Sequence, residues 1–364
     1  MLQFFPSRTL TWYLAKLFVG RIVAVLLMLV LVLQALDLLS ESGKILGVAG
    51  NDQSDLWHYA SLRIPQLVAR FLPYSVLLAT IITLATLNQN SEVIAMKASG
   101  MSAHQVLAPL LMTAALVSAI SFVFNERVVT RSTAALKAWQ AVEYKAIPKD
   151  PATRTNVYFR DGTNILAAGA VSGSGTATVM ENVTWYRRDA NGMVVEQLRS
   201  PRATFASPGW TLVSPVRFDV ASTVRTELST RVVAKDITPA QVAITKVDPD
   251  AQDAITLYRS IQAMKAAGRR TSELEGKWWH KFSGPLSALL MPLLGAIAAF
   301  GLARSGQLLI RAVLGMALGF AYFVVDNAAL AMGNFGAYPP LIAAWAPFML
   351  FALIGETVLV RTEE

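Results

Sequence analysis

The sequence predicts an α-helical membrane protein in which six transmembrane helices, three and three, flank an inserted periplasmic all-β, jelly-roll-like domain. Three observations carry this. The chain of 364 residues is 54% hydrophobic and only 15% charged, whereas soluble domains carry nearer a quarter charged residues. Six apolar runs have the length that about 30 Å of hydrocarbon requires of a helix, about 20 residues. Between the third and fourth runs the pattern changes from helical to strand-like and acquires hairpin turns.

The runs are residues 17–36, 71–87, 106–124, 282–302, 308–332 and 337–360. The first has a basic flank like a signal peptide, but its apolar stretch is too long and no small-residue cleavage site follows, so it reads as a span. Orientation comes from the short loops. Arg8, Lys16, Arg21, Lys97, Arg304, Arg311 and Arg361 fall on one side, and little beyond Lys44 and Arg63 on the other. The basic side is cytoplasmic. Both termini are therefore expected inside, and the long insertion outside.

From Asn156 to Lys235 short alternating runs are separated by Asp161-Gly162, Asn191-Gly192 and Pro208-Gly209, where hairpins need turns. About eight strands are expected, in a sandwich or jelly roll with an edge left for another chain. The resulting organisation is 1–145 for the first three spans, 146–250 for the β-domain and 251–364 for linker helices and the last three spans. Residues 125–145 continue span three as a helix. A second helix over 253–267 is expected to stop at Gly268, and 272–281 leads into span four. Trp278 and Trp279 fall at the water–lipid boundary and read as anchors, with substrate stacking the alternative.

Composition also excludes chemistry. There is no cysteine, and His58, His104 and His280 are scattered, so no metal site is expected. The formal charge of +8 comes without a basic, aromatic-interleaved cluster, so no nucleic-acid partner is expected. No Gly-Lys-Ser or Gly-Lys-Thr occurs, so an ATPase would be a separate chain. No hydrolase motif is present, and the chain reads as a non-enzyme without catalytic residues. Asp248-Pro-Asp250 could bind a metal but reads first as helix capping. Arg21 is expected to snorkel to the cytoplasmic surface, and Glu356 lies near the inner end of span six. Asp37, at the outer end of span one, and Asp326, in the outer third of span five, are candidate cavity or gate residues. For Asp326 the alternatives are a proton relay and a packing or cavity-lining role.

The segment 88–100 begins a short helix at Ser91, places Val93, Ile94 and Met96 along it and stops at Gly100. It either lies on lipid or docks in a cytoplasmic motor, with Glu92 offering a charge-assisted bond. Here the chain resembles the LptF/LptG family of lipopolysaccharide-export permeases, whose short cytoplasmic helix reads Ser-Glu-hydrophobic-x-x-x-x-Ala/Ser-Gly, matched by Ser91-Glu92-Val93 through Ala98-Ser99-Gly100. Further matches are Pro65, Pro73, Asp248-Pro-Asp250, Leu257-Tyr258, Gly268, Glu275, Trp279, Lys281, Pro285-Leu286 and Pro339-Pro340. The Asp-Pro-Asp and Pro-Pro elements tilt the resemblance toward the LptG branch.

The resemblance implies an inner-membrane ABC transporter permease that extracts lipopolysaccharide and passes it to a periplasmic bridge. Its implied partners are an LptF permease, an LptB ATPase dimer, LptC and periplasmic LptA. ATP and magnesium would be used by the ATPase, and this chain would hold no cofactor. Ser91, Glu92, Val93, Met96 and Gly100 become ATPase-coupling candidates. The family's lysines at the outer end of span one match Gln34, Ser40 and Glu41 here, so Lys44, Arg63, Arg70 and Lys137 are the candidate cations for the lipid head group. The rival readings are a proton-coupled secondary transporter, the paralogous LptF-type subunit, and a scaffold that tethers a β-domain.

Overall fold

The computed structural model describes residues 6–145, 154–173, 177–239, 242, 247–266, 269–296 and 308–361. Gly268, Arg304 and residues 297–302 of the fourth expected span lie outside them. The chain forms two compact units. One comprises Met1–Ala146, Asp248–Gln262 and Arg270–Glu364; the other comprises Ile147–Val247 and Ala263–Arg269.

The first unit is helical. Helix α1 (Arg8–Leu46) starts where the Ser7 hydroxyl accepts the Leu10 N–H, and α2 (Gln53–Gln89) starts at a capping box of Asp52 and Asp55. Helix α3 (Glu92–Ala98) is short, and α4 (Ala103–Phe124) opens on a Ser102–Gln105 capping box. In each box a side chain satisfies an N–H that the helix itself leaves unpaired. A π-helical turn, Asn125–Val129, joins α4 to α5 (Thr130–Ala141). Then follow α6 (Ala254–Ala266), of which residues 254–262 belong to this unit, α7 (Ser272–Ala296), α8 (Leu308–Asn334) and α9 (Pro340–Arg361).

Among the described residues five helices are long and apolar enough to cross a membrane: Arg8–Leu46, Gln53–Gln89, Ala103–Ala141, Val313–Asn334 and Pro340–Arg361. Their shared core includes Phe18, Leu77, Leu107, Tyr322 and Phe351, joined by Met291 of α7. Small residues bring the backbones together. A Cβ on Gly319 would overlap Leu77, and one on Gly295 would lie 2.7 Å from Thr80 Cγ2, so α8 and α7 both sit tight on α2. Such close approach maximises dispersion contact where lipid removes any hydrophobic drive between helices. A second cluster of Ile45, Tyr59, Leu136, Trp139 and Tyr144 ties α1, α2 and α5 together at one end.

The second unit is one antiparallel sheet of eight strands: β1 (Arg154–Asp161), β2 (Asn164–Ser172), β3 (Val179–Arg188), β4 (Val194–Ala206), β5 (Gly209–Val213), β6 (Val216–Asp219), β7 (Arg225–Glu227) and β8 (Thr230–Val233). Gly162 (φ 61°) and Gly192 (φ 82°) occupy the left-handed conformation that the hairpin turns need. Gly209, expected in a turn, is instead the first residue of β5 and pairs with Ala206. The order is β1-β2-β3-β4-β5-β8, with β6 on β4 and β7 on β6. Chain neighbours are thus sheet neighbours through β5, and the Greek-key exchange of a jelly roll is not among the described pairings. The fork arises because β4 offers Arg202–Ala206 to β5 and Glu196–Arg199 to β6.

A single sheet can bury a core only if it bends, and one row of residues supplies the bend. Along a flat strand, burial recurs every second residue. Here it jumps by three at the same level of three strands, from Ala168 to Val171, from Met180 to Val183 and from Ser200 to Ala203. Gly169, Asn182 and Pro201 stand in that row. Asn182 has φ 52°, Pro201 has no N–H to lose, and a Cβ on Gly169 would lie 2.9 Å from Asn182 Cβ. The crease wraps the covered face around Leu166, Met180, Leu198, Trp210 and Leu212, and the Trp210 indole donates to Ile237 O at 2.8 Å. Gly169→Val should therefore destabilise this unit by roughly 1–3 kcal/mol through overpacking. Faster hydrogen exchange of β2 and β3 amides in the full chain would show it; unchanged exchange would contradict the crease.

Candidate functional site

Three polar clusters of the helical unit hold most of the candidate residues. The first surrounds α3. Ser91, expected to cap this helix, sits instead in the left-handed region at φ 60° with no side-chain cap bond. The stop is as the sequence predicts. Gly100 has φ 86°; its N–H reaches Lys97 O at 3.0 Å, and the Met101 N–H reaches Met96 O at 3.2 Å, the paired bonds of a Schellman motif.

Val93 and Met96 are buried in the helical core, 4% and 8% exposed, so they hold α3 down rather than face a partner. Ile94, 51% exposed, points the other way with Ala95, Lys97 and Ala98. The Glu92 carboxylate accepts the Tyr13 hydroxyl at 3.1 Å and the Asn90 amide at 3.2 Å. Tyr13 was not legible as a site residue, because 79 positions separate it from Glu92. Ile94 was legible, since a residue one step beyond an inward Val93 must turn away. Nearby contacts stiffen the bundle: His104 meets Glu356 at 2.9 Å, linking α4 to α9. Arg21, expected to snorkel, donates to Ile82 O of α2 at 3.0 Å.

The second cluster gathers the candidate cations, and most of them are already neutralised. Arg63 of α2 grips Asp37 of α1 in a fork, Nε to Oδ2 at 3.1 Å and Nη2 to Oδ1 at 3.2 Å, while its Nη1 donates to Gln66. The Tyr59 hydroxyl adds a 2.7 Å bond to Asp37. Lys44 pairs with Glu41 at 2.8 Å, and the Tyr144 hydroxyl donates to the other Glu41 oxygen. Lys137 of α5 pairs with Asp248 at 2.6 Å. Arg70 differs: it is exposed on α2, and no described residue forms an ion pair with it. Asp37 and Asp326 do not share a site. Asp37 is held by Arg63, and Asp326 of α8 faces His280 of α7 at 3.8 Å.

The third cluster mounts α6, and it corrects two expectations. Among the described residues Asp248-Pro-Asp250 caps no helix. Its carboxylates bridge α5 and α7, Asp248 to Lys137 and Asp250 to Lys277 at 3.9 Å, with Asp248 also accepting the Asp250 N–H at 3.1 Å. The residue that caps α6 is Asp253, whose bonds to the Thr256 side chain and N–H hold its carboxyl below the usual range. Trp278 is more than a boundary anchor. Its indole donates to Ala254 O at 2.9 Å and its ring packs on Tyr258. Glu126, in the π-helical turn, accepts Lys281 of α7 at 3.1 Å and the Ala254 N–H. Both charged side chains are nearly covered, 15% and 10% exposed.

Residues 12–361 match the family model described as lipopolysaccharide export system permease LptF/LptG. The chain belongs to the LptF/LptG family. It is 24% identical to the lipopolysaccharide export system permease protein LptG of Escherichia coli (strain K12) over 364 residues, which cover 98% of this chain and 99% of that protein. It is 22% identical to the protein of the same name from Haemophilus influenzae (strain Rd), with the same coverage. An LptF/LptG chain is a transmembrane permease rather than an enzyme in its own right, and the five apolar helices accord with a multi-pass membrane protein. The matched range takes in α3, the Asp37–Arg63 fork and the Glu126 mount alike.

Proposed function

We propose that this chain is one permease half of an ABC exporter that lifts lipopolysaccharide out of the inner membrane and passes it to a periplasmic bridge. The family match across almost the whole chain carries this reading. In it the protein has six spans, α7 belonging to the fourth of them, with both termini cytoplasmic. The creased sheet is a periplasmic, jelly-roll-like tray. Its partners are an LptF-type permease, an LptB-type ATPase dimer, LptC and LptA. ATP and magnesium belong to the ATPase, which docks on α3 through Glu92 and the outward face of Ile94 and Ala95. The test is copurification of the full chain from mild detergent. A stoichiometric nucleotide-binding partner is expected, and a chain that runs alone, with no ATPase activity, would overturn the reading.

The head-group role then falls first to Arg70. Arg63, Lys44 and Lys137 would each have to give up a carboxylate before binding a phosphate, whereas Arg70 has its guanidinium available for a charge-assisted bond. Asp37 and Arg63 act as a latch between α1 and α2 on the cavity wall. Arg70→Glu is expected to cut lipopolysaccharide crosslinking and lipid-stimulated ATPase activity several-fold, and Lys44→Glu to change them little. The opposite ranking would return the role to the paired cations.

A further inference from the structure

Between α7 and α8 runs a polar seam that the permease reading does not use. A Cβ on Gly276 would lie 3.5 Å from Asn334 Oδ1, His280 faces Asp326, and Ser287 faces Tyr322, as two antiparallel helices require. In the middle of it sits Asp326, 6% exposed, on an apolar helix long enough to cross a membrane. Its Oδ1 is buried and has no hydrogen-bond partner among the described residues. Its Oδ2 lies 3.8 Å from His280 Nε2, too far for a direct hydrogen bond and within ion-pair distance. Ser283 meets the other ring nitrogen of His280 at 3.3 Å.

The titratable groups around Asp326 leave few ways to compensate a charge there. From α7 there is His280, with Lys277 and Asp250 beside it toward the exposed side. On α8 there is Tyr322, one turn away, and from α2 there is Tyr74 with Arg70 behind it. His280 is the only group among them within ion-pair distance of the carboxylate. An ionised carboxylate alone in hydrocarbon costs several kcal/mol, so Asp326 must either carry a proton or face an imidazolium. In both arrangements the pair holds one proton between two groups.

We propose that Asp326 and His280 form a proton-binding site within the membrane, which takes up a single proton and exchanges it through His280. The imidazole suits the part because 28% of its side-chain surface is uncovered by this chain, against 8% for Asp326. The step is a simple transfer: a proton from water reaches His280 Nε2, passes to Asp326 Oδ2 when the side chains close from 3.8 Å to hydrogen-bond distance or through one bridging water, and returns the same way. Any motion that draws α8 away from α7 separates the two groups and changes which of them keeps the proton.

The experiment is infrared difference spectroscopy of the full chain in zwitterionic lipid nanodiscs across a pH jump, with no ATPase partner present, so its outcome is independent of the exporter reading. A carboxylic-acid carbonyl band is expected at neutral pH, shifted in heavy water and lost in Asp326→Asn, with deuterium exchange slowed in His280→Gln. An imidazolium band lost in both variants would equally show one held proton. If Asp326→Asn fails to fold, isotope-labelled aspartate with Asp326→Glu assigns the band instead. Absence of both bands across the pH range, or exchange unaffected by His280→Gln, overturns the proposal.

Discussion

Glu92→Lys is expected to detach the chain from its ATPase while leaving it folded and inserted. The carboxylate stands at the first residue of α3, on the rim between the anchored side of the helix and the exposed Ile94. On the proposed docking, reversing it would remove a charge-assisted bond to the partner, and it puts a cation where the helix terminus already disfavours one. Truncating one member of such a pair costs roughly 2–5 kcal/mol, about 30-fold or more in affinity. Two further variants separate docking from folding. Ile94→Asp alters the outward face and should also release the ATPase, whereas Val93→Asp places a charge in the core and should disrupt α3 itself. Tyr13→Phe, which removes a single hydrogen bond to Glu92, should weaken coupling more mildly. An intact, active complex pulled down with Glu92→Lys would refute the docking role.

Lys281→Met should produce the largest loss of stability of any single change at the α6 mount. It leaves the Glu126 carboxylate nearly covered, without its cation, and still bound to the Ala254 N–H. Breaking a buried pair by removing one partner costs roughly 3–5 kcal/mol, mostly because of the charge left behind. Combining it with Glu126→Gln removes that charge and should recover much of the loss. Thermal unfolding of the full chain in detergent measures both. Equal destabilisation in the single and double variants would mean that the packing of Lys281, and not its charge, is what the mount needs. The placement of this pair beside a π-helical turn fits the tendency of such turns to mark functional positions.

Much of the architecture is legible along the chain because it depends on local properties. Residence in a membrane follows from runs of apolar residues long enough to span it, and the inserted sheet follows from a change of period. Gly100, Gly162 and Gly192 mark a helix stop and two turns because those positions require a positive φ, a property of single residues. The short helix α3 is legible for the same reason, and its inward and outward faces follow from helical spacing once one of them is known to be buried.

What only the tertiary structure decided concerns partners far apart in sequence. Arg63, Lys44 and Lys137 look alike as basic residues near a membrane boundary, yet Asp37, Glu41 and Asp248 neutralise them and leave Arg70 as the cation that pairs with no described residue. Asp-Pro-Asp was read as a cap and is a pair of ion bridges; Trp278 was read as a lipid anchor and bonds the start of α6. The crease through Gly169, Asn182 and Pro201 exists only because strand register sets three separate residues in one row. In each case, hydropathy and backbone preference are written residue by residue, so the sequence alone determines them. Which charge meets which depends on how helices and strands register across space, and a linear pattern does not carry that information.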